Sequence, residues 1–205
     1  VMLIGQVAMS FVGPLDQYAA ANLGANANAT LGYASRLLSL LLGIGAVSVG
    51  RAALPVLADV QARGDTGRAR SMALKWSVLM VGAGAVAVAI GWVLAPWGVS
   101  VLFQRGAFTA ENTEAVAHVL RWGLLQLPFY FGVLILVQLL ASQNRYRIMA
   151  AIAVANFALK AALNTVLAPK MGAAGIMLAT SLMYVLSFAC YLVVAMRKAE
   201  PKEAD

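Results

Sequence analysis

Six long apolar segments are the feature that most constrains the fold of this chain of 205 residues. A helix needs about 20 mostly apolar residues to cross a membrane. The chain is 62% hydrophobic and only 11% charged, whereas soluble domains carry roughly 25% charged residues. The sequence therefore predicts an all-α fold, a polytopic membrane bundle of about six transmembrane helices. We place them at approximately residues 1–23, 27–60, 72–102, 110–142, 148–167 and 173–196.

The six segments predict one transmembrane lobe over residues 1–196, followed by a charged tail at 197–205. The chain begins inside an apolar helix without a basic leader region, so we expect further sequence to precede it. Basic residues concentrate in alternate connectors and in the tail: Arg63, Arg68, Arg70, Lys75, Arg145, Arg147, Arg197, Lys198 and Lys202. Because basic loops stay in the cytoplasm, we expect the tail to be cytoplasmic.

Polar residues interrupt the apolar sequence midway, at Leu102–Thr113. Thr109 is followed by Glu111 and Asn112, a pattern that predicts an N-cap with an acidic residue in the first helical turn. In the segment that follows, Pro128 predicts a kink. By the charge rule, this polar stretch lies on the outer side of the membrane.

Two charged residues, Asp16 and Lys160, fall well inside apolar segments. Asn156, Lys160 and Asn164 are spaced four residues apart, so they share one face of a helix. An unpaired charge inside a membrane is costly. We therefore expect the Asp16 carboxylate and the Lys160 ammonium to face one another within the lobe.

The sequence offers no support for an enzyme. It contains one cysteine, Cys190, so no disulfide can form within the chain, and no catalytic constellation surrounds it. No HExxH motif, carboxylate cluster or Ser/His/Asp pairing is present. The net charge of +7 is explained by membrane orientation rather than by binding of nucleic acid.

Two stretches resemble a known family. The sequence YASRLLSLLLGIGAVSVGRAALPVLA at Tyr33–Ala58 and LFQRGAFTAENT at Leu102–Thr113 are similar to motifs in the second six-helix lobe of the MurJ/MviN lipid II flippases. These belong to the multidrug/oligosaccharidyl-lipid/polysaccharide exporter superfamily. Three positions depart from the family pattern, Ser35, Leu41 and Arg51, and they leave open a divergent member or a relative acting on another lipid-linked glycan.

The resemblance implies one lobe of a non-enzymatic transporter. Family members move the undecaprenyl-pyrophosphate-linked peptidoglycan precursor, lipid II, across the inner membrane by alternating access between two lobes. The implied partners are that lipid-linked pyrophosphate, membrane lipids and a missing N-terminal lobe, encoded upstream or separately, with no nucleic acid. The alternatives are a polysaccharide or drug exporter of the same superfamily and a non-transporting membrane scaffold. A basic cavity favours the flippase, acids favour a cationic-drug exporter, and a closed apolar interior favours the scaffold.

Three arginines are candidates for binding the substrate headgroup, because a guanidinium matches phosphate oxygens. Arg36 matches the family's cavity-lining arginine; the alternative is an arginine that extends to lipid headgroups. Arg121 has Glu114 or His118 as an alternative partner on its own helix face, and Arg51 lies near the cytoplasmic interface. No catalytic residue, metal ligand or organic cofactor is predicted.

The resemblance also suggests a coupling site. Exporters of this superfamily often use membrane-buried acids for Na⁺ or H⁺ coupling, and dependence on the membrane potential is a further option. In this chain Lys160 could serve as a tethered cation beside Asp16 and Asn156, in place of a bound ion. The alternative is a fixed ion pair that holds the first and fifth segments together.

Overall fold

The computed structural model describes residues 2–105 and 108–197, and all regular structure in these ranges is α-helical. The helices are α1 (Met2–Ser10), α2 (Val12–Leu23), α3 (Ala25–Ala62), α4 (Thr66–Phe103), α5 (Ala110–Leu124), α6 (Leu127–Ser142), α7 (Tyr146–Met171) and α8 (Ala173–Met196). Two residues of the central polar stretch, 106–107, and most of the predicted tail, 198–205, lie outside the described residues.

Five helical stretches in the described ranges are long and apolar enough to cross a membrane. The third of them, Ala110–Ser142, comprises both α5 and α6. The predicted all-α, polytopic bundle is thus confirmed. The first predicted segment is a bent pair, α1 and α2, in which neither helix reaches the required length. Pro14 lies just after the bend and cannot donate a backbone hydrogen bond to the preceding turn.

Two predicted connectors are shorter than the sequence suggested. The predicted basic connector between the second and third segments contracts to three residues, because Asp65 caps α4 by accepting a hydrogen bond from the Arg68 amide at 2.9 Å. Gly64, with φ of 77°, supplies the turn. The predicted turn at 168–172 is likewise wrong in extent, since α7 continues to Met171 and Gly172, with φ of 62°, reverses the chain.

The fourth predicted segment, residues 110–142, is broken where Pro128 predicted a kink. The Gln126 amide donates to the Gly123 carbonyl at 3.2 Å rather than to Trp122, as an unbroken helix would require. The Trp122 carbonyl instead accepts a hydrogen bond from Ser181 Oγ on α8 at 2.8 Å. A side chain from a neighbouring helix therefore replaces the backbone donor lost at the break.

Small residues bring the helices into close contact, as is common in membrane bundles. Gly84 of α4 lies against the start of α6, where an added Cβ would be 2.5 Å from the Pro128 Cα. On its other side α4 exposes large apolar side chains, among them Val78, Leu79 and Val93. Exposed apolar side chains are expected where a helix faces lipid.

Candidate functional site

A polar cleft opens between α2 and α3, with a volume of about 620 Å³. The space beside two of its glycines is open, since a Cβ added at Gly13 or Gly32 would meet no atom within 4 Å. The wall from α3 is built by residues spaced three or four apart, which share a helix face. The lining residues are Gly13, Asp16, Gln17, Asn28, Leu31, Gly32, Ser35, Arg36, Ser39 and Leu40.

Arg36 extends into this cleft from the third turn of α3 and is exposed. Its guanidinium carbon lies 5.9 Å from the centroid of the Tyr33 ring, a cation–π arrangement. Within residues 2–105 and 108–197 no carboxylate forms an ion pair with it. Arg36 thus presents an uncompensated positive charge to the cleft.

The acid on the opposite wall of the cleft is already neutralised. Asp16 Oδ1 lies 2.8 Å from Lys160 Nζ, with the Lys160 side chain fully buried and the Asp16 side chain 20% exposed. The predicted contact between these two charges is confirmed. Asp16 and Arg36 are the charged residues that line the cleft, so pairing of Asp16 with Lys160 leaves the cleft with a net positive charge.

Oxygen atoms surround the Lys160 ammonium. Besides Asp16, it donates to Asn164 Oδ1 at 3.1 Å and to the Ile176 carbonyl at 2.7 Å. Asn164 in turn donates through Nδ2 to Asp16 Oδ1 at 2.9 Å. The ammonium therefore has three oxygen acceptors, and the network joins α2, α7 and α8. Such complete pairing is what allows a charge to remain in a low-dielectric interior.

Asn156, which we predicted beside this pair, binds elsewhere. Its Nδ2 donates to Ser187 Oγ at 3.0 Å, and its Oδ1 is buried with no partner in the described part of the chain. Asn164, and not Asn156, lies beside the Asp16–Lys160 pair. The reason is the level at which the helices meet: Gly5 of α1 packs against Ala150, which puts Asp16 further along α7 than Asn156.

The other two candidate arginines do not reach the cleft. Arg121 donates through Nε to the Trp92 carbonyl at 3.0 Å, and its Nη1 lies 3.9 Å from Glu114 Oε1. These contacts fix it between α5 and α4, so its predicted role in the same headgroup site is not supported by its position. Arg51 is exposed on α3, about 22 Å along the helix axis from Arg36 at 1.5 Å per residue.

Two lining residues, Asn28 and Ser39, were not singled out from the sequence. Their spacing with Gly32 and Ser35 repeats every three or four residues, the same helical spacing that placed Asn156, Lys160 and Asn164 on one face. Among the described residues, no group of three or more His, Cys, Asp or Glu side chains is arranged to hold a metal ion.

Comparisons with known proteins agree on one family. The family model for lipid II flippase MurJ matches residues 1–204. A probable lipid II flippase MurJ of Bdellovibrio bacteriovorus is 30% identical over 177 residues, which cover 86% of this chain and 34% of that protein. A second, from Rhizobium tropici, is 33% identical over 105 residues, covering 50% of this chain and 19% of that protein. The chain therefore spans about a third or less of these relatives.

The fold is shared with solved transporters. A lipid II flippase MurJ in an inward closed conformation aligns with a TM-score of 0.78 at 22% identity, covering 93% of this chain and 40% of that one. A transporter of the MOP superfamily (the exporter superfamily above) from Pyrococcus furiosus aligns with a TM-score of 0.77 at 16% identity, covering 93% and 41%. From the match over nearly its whole length, this multi-pass membrane chain belongs to the MurJ family of lipid II flippases.

Proposed function

We propose that this chain is one lobe of a flippase that moves lipid II, an undecaprenyl-pyrophosphate-linked peptidoglycan precursor, across the inner membrane by alternating access. The observation that carries the proposal is the polar cleft with Arg36 at its wall and its acid neutralised. A pyrophosphate is anionic and needs charged donors once it leaves water. Membership of the MurJ family supports the same substrate class.

The charge of the cleft favours this substrate over a cationic drug. A drug cation would require a free acid, but Asp16 is held by Lys160 at 2.8 Å. The cleft is also unlike the closed apolar interior that a scaffold subunit would have, since it is open and lined by polar side chains such as Gln17 and Asn28. No bond of the substrate needs to be made or broken, so the proposed role is transport rather than catalysis.

A complete pathway requires a second lobe opposite α2 and α3. Exposed polar residues of the cleft, such as Gln17 and Asn28, would be poorly placed against lipid, where unpaired polar groups are costly. We propose that an N-terminal lobe, upstream in the same protein or separate, covers this face and encloses water. The excess of basic residues in alternate connectors supports a cytoplasmic tail.

For coupling, we propose that the Lys160 ammonium takes the position of a monovalent cation. It has oxygen acceptors at 2.7, 2.8 and 3.1 Å, and oxygen is the ligand that hard cations prefer. In this proposal Na⁺ does not bind beside Asp16 in the native protein. The pair holds α2 against α7 and α8, and the driving force comes from H⁺ or the membrane potential acting elsewhere.

The proposal is tested by reconstituting the protein, as its gene encodes it, into liposomes that contain lipid II in both leaflets. Transfer is followed as lipid II becomes accessible to an enzyme added outside. We expect transfer above that of protein-free liposomes, and no uptake of a cationic dye by the same vesicles. Dye transport without lipid transfer would favour a drug exporter, and neither activity would favour the scaffold.

A further inference from the structure

A second polar cavity lies on the other side of the first turns of α3. Its volume is about 630 Å³, and it is enclosed by the start of α3, the end of α4 and the start of α5. By the positive-inside rule this end of the lobe lies outside the cytoplasm. The cavity shares no lining residue with the cleft that contains Arg36.

Three aromatic rings pack together at one wall of this cavity. The Tyr33 ring lies 5.0 Å from Phe103 and 5.1 Å from Phe108, both edge-to-face, and the two phenylalanines are 6.1 Å apart. All three side chains are partly exposed and line the cavity. Aromatic pairs of this geometry are rigid and offer apolar area on which a flat ligand face can pack.

Polar side chains complete the lining. Asn26, Arg105, Glu111 and Asn112 are exposed, and none of the four side chains forms a hydrogen bond or ion pair within residues 2–105 and 108–197. Two amides offer both donors and acceptors, and the remaining pair offers one cation and one anion. These four side chains carry one positive and one negative charge, whereas the cleft at Arg36 has a net positive charge.

This chemistry differs from what a pyrophosphate requires. A carboxylate such as Glu111 would repel phosphate, whereas amides bind hydroxyl and acetamido groups, and the two charges match a peptide that carries both signs. An apolar wall with a few convergent polar groups is typical of sites for small organic ligands. The lining therefore fits a sugar–peptide moiety better than a diphosphate.

The two cavities are linked through α3. Tyr33 lines the second cavity, and its ring lies 5.9 Å from the guanidinium carbon of Arg36, which lines the first. Asn26 and Arg36 are separated by about 15 Å along the helix axis, at 1.5 Å per residue. A ligand with its pyrophosphate at Arg36 could thus extend its headgroup toward the aromatic wall.

We propose that this outer cavity binds the sugar–peptide part of the lipid-linked precursor, while the cleft at Arg36 binds its pyrophosphate. The inference rests on the proposed function and adds to it a second site of different chemistry. Asn26 and Asn112 are the residues that distinguish a glycan-bearing lipid from a bare one.

The test is binding of two lipids to the encoded protein in nanodiscs: lipid II, and undecaprenyl pyrophosphate without sugars. Asn26→Ala with Asn112→Ala should weaken binding of lipid II by about tenfold, the loss of two hydrogen bonds, and leave undecaprenyl pyrophosphate unchanged. Thr30 Oγ donates to the backbone carbonyl of Asn26, and the backbone N–H of Asn112 donates to Thr109 Oγ1. Both contacts use backbone atoms, so they do not depend on the side-chain amides that the variant removes. Asn22→Ala, an exposed change outside both cavities, is the matched control.

Arg36→Ala should weaken binding of both lipids, which separates the two sites. If the double variant binds lipid II as tightly as the native protein, or loses both lipids equally, the inference is overturned while the proposed function stands. If the native protein binds neither lipid, the proposed function fails and the inference fails with it.

Discussion

The ammonium of Lys160 and the carboxylate of Asp16 lie 2.8 Å apart, between helices at opposite ends of the chain. Lys160 is fully buried and also donates to Asn164 and to the Ile176 carbonyl. A buried charge with every donor satisfied is tolerated, whereas removal of one partner leaves the other charge stranded. The pair should therefore behave as a unit in both stability and function.

Lys160→Ala should destabilise the protein more than the double change Lys160→Ala with Asp16→Asn. The single change strands the Asp16 carboxylate. Breaking a fully buried pair costs about 3–5 kcal/mol, and the cost here is smaller because the Asp16 side chain is 20% exposed. Both variants leave the same cavity. The apparent Tm in detergent, followed by tryptophan fluorescence, measures the difference. If the double variant is at least as unstable as the single one, the stranded Asp16 charge contributes little to the loss of stability.

Sodium should stabilise Lys160→Ala and leave the native protein unaffected. Without the ammonium, oxygens of Asp16, Asn164 and Ile176 are left facing one space, and a ligand that binds only the folded state raises its stability. The measurement is the Tm in NaCl and in choline chloride at equal ionic strength. An equal response of both proteins to Na⁺ would argue against the proposed position of the cation.

Gly84→Ala should destabilise the bundle, and Gly82→Ala should not. A Cβ at Gly84 would be 2.5 Å from the Pro128 Cα and 2.8 Å from its nitrogen, both backbone atoms that cannot rotate away, whereas a Cβ at Gly82 meets nothing within 4 Å. Overpacking costs about 1–3 kcal/mol. At the open site, alanine gains helix propensity. Comparable Tm values for the two variants would contradict the close approach of α4 and α6.

Ser181→Ala should lower stability by about 1–3 kcal/mol, the cost of an unsatisfied buried acceptor. Ser181 Oγ donates to the Trp122 carbonyl, whose normal partner is diverted at the helix break. Ser48→Ala is the control, since in the described part of the chain the Ser48 hydroxyl bonds only the Ile44 carbonyl, within its own exposed helix turn. Equal, small changes in Tm for both would mean that the break does not depend on Ser181.

Intramembrane charge was the most informative signal in the sequence. The penalty for isolated charges predicted that Asp16 and Lys160 meet, without any knowledge of helix packing. The same reasoning did not identify Asn164 in preference to Asn156, because the choice depends on the level at which α2 meets α7. Hydropathy located the helices but not the bend before Pro14, since apolar composition continues through it.

Sequence patterns could not predict the contacts that backbone carbonyls make. Arg121 binds the Trp92 carbonyl and Lys160 binds the Ile176 carbonyl, and any residue type can supply such an acceptor. Helical spacing predicted that Arg121 lies near Glu114 on the same helix, but it carried no information about contacts with other helices. The packing of α5 on α4 is what places Arg121 outside the cleft that contains Arg36.

In the proposed mechanism, Arg36 holds the lipid pyrophosphate during its passage. The most direct measurement is the rate of lipid II transfer in liposomes for Arg36→Ala and for Arg63→Ala, a surface arginine paired with Asp59. Loss of charge-assisted bonds to phosphate should slow transfer about 10- to 100-fold for Arg36→Ala, with Arg63→Ala at the native rate. A native rate of transfer by Arg36→Ala would show that Arg36 does not hold the pyrophosphate.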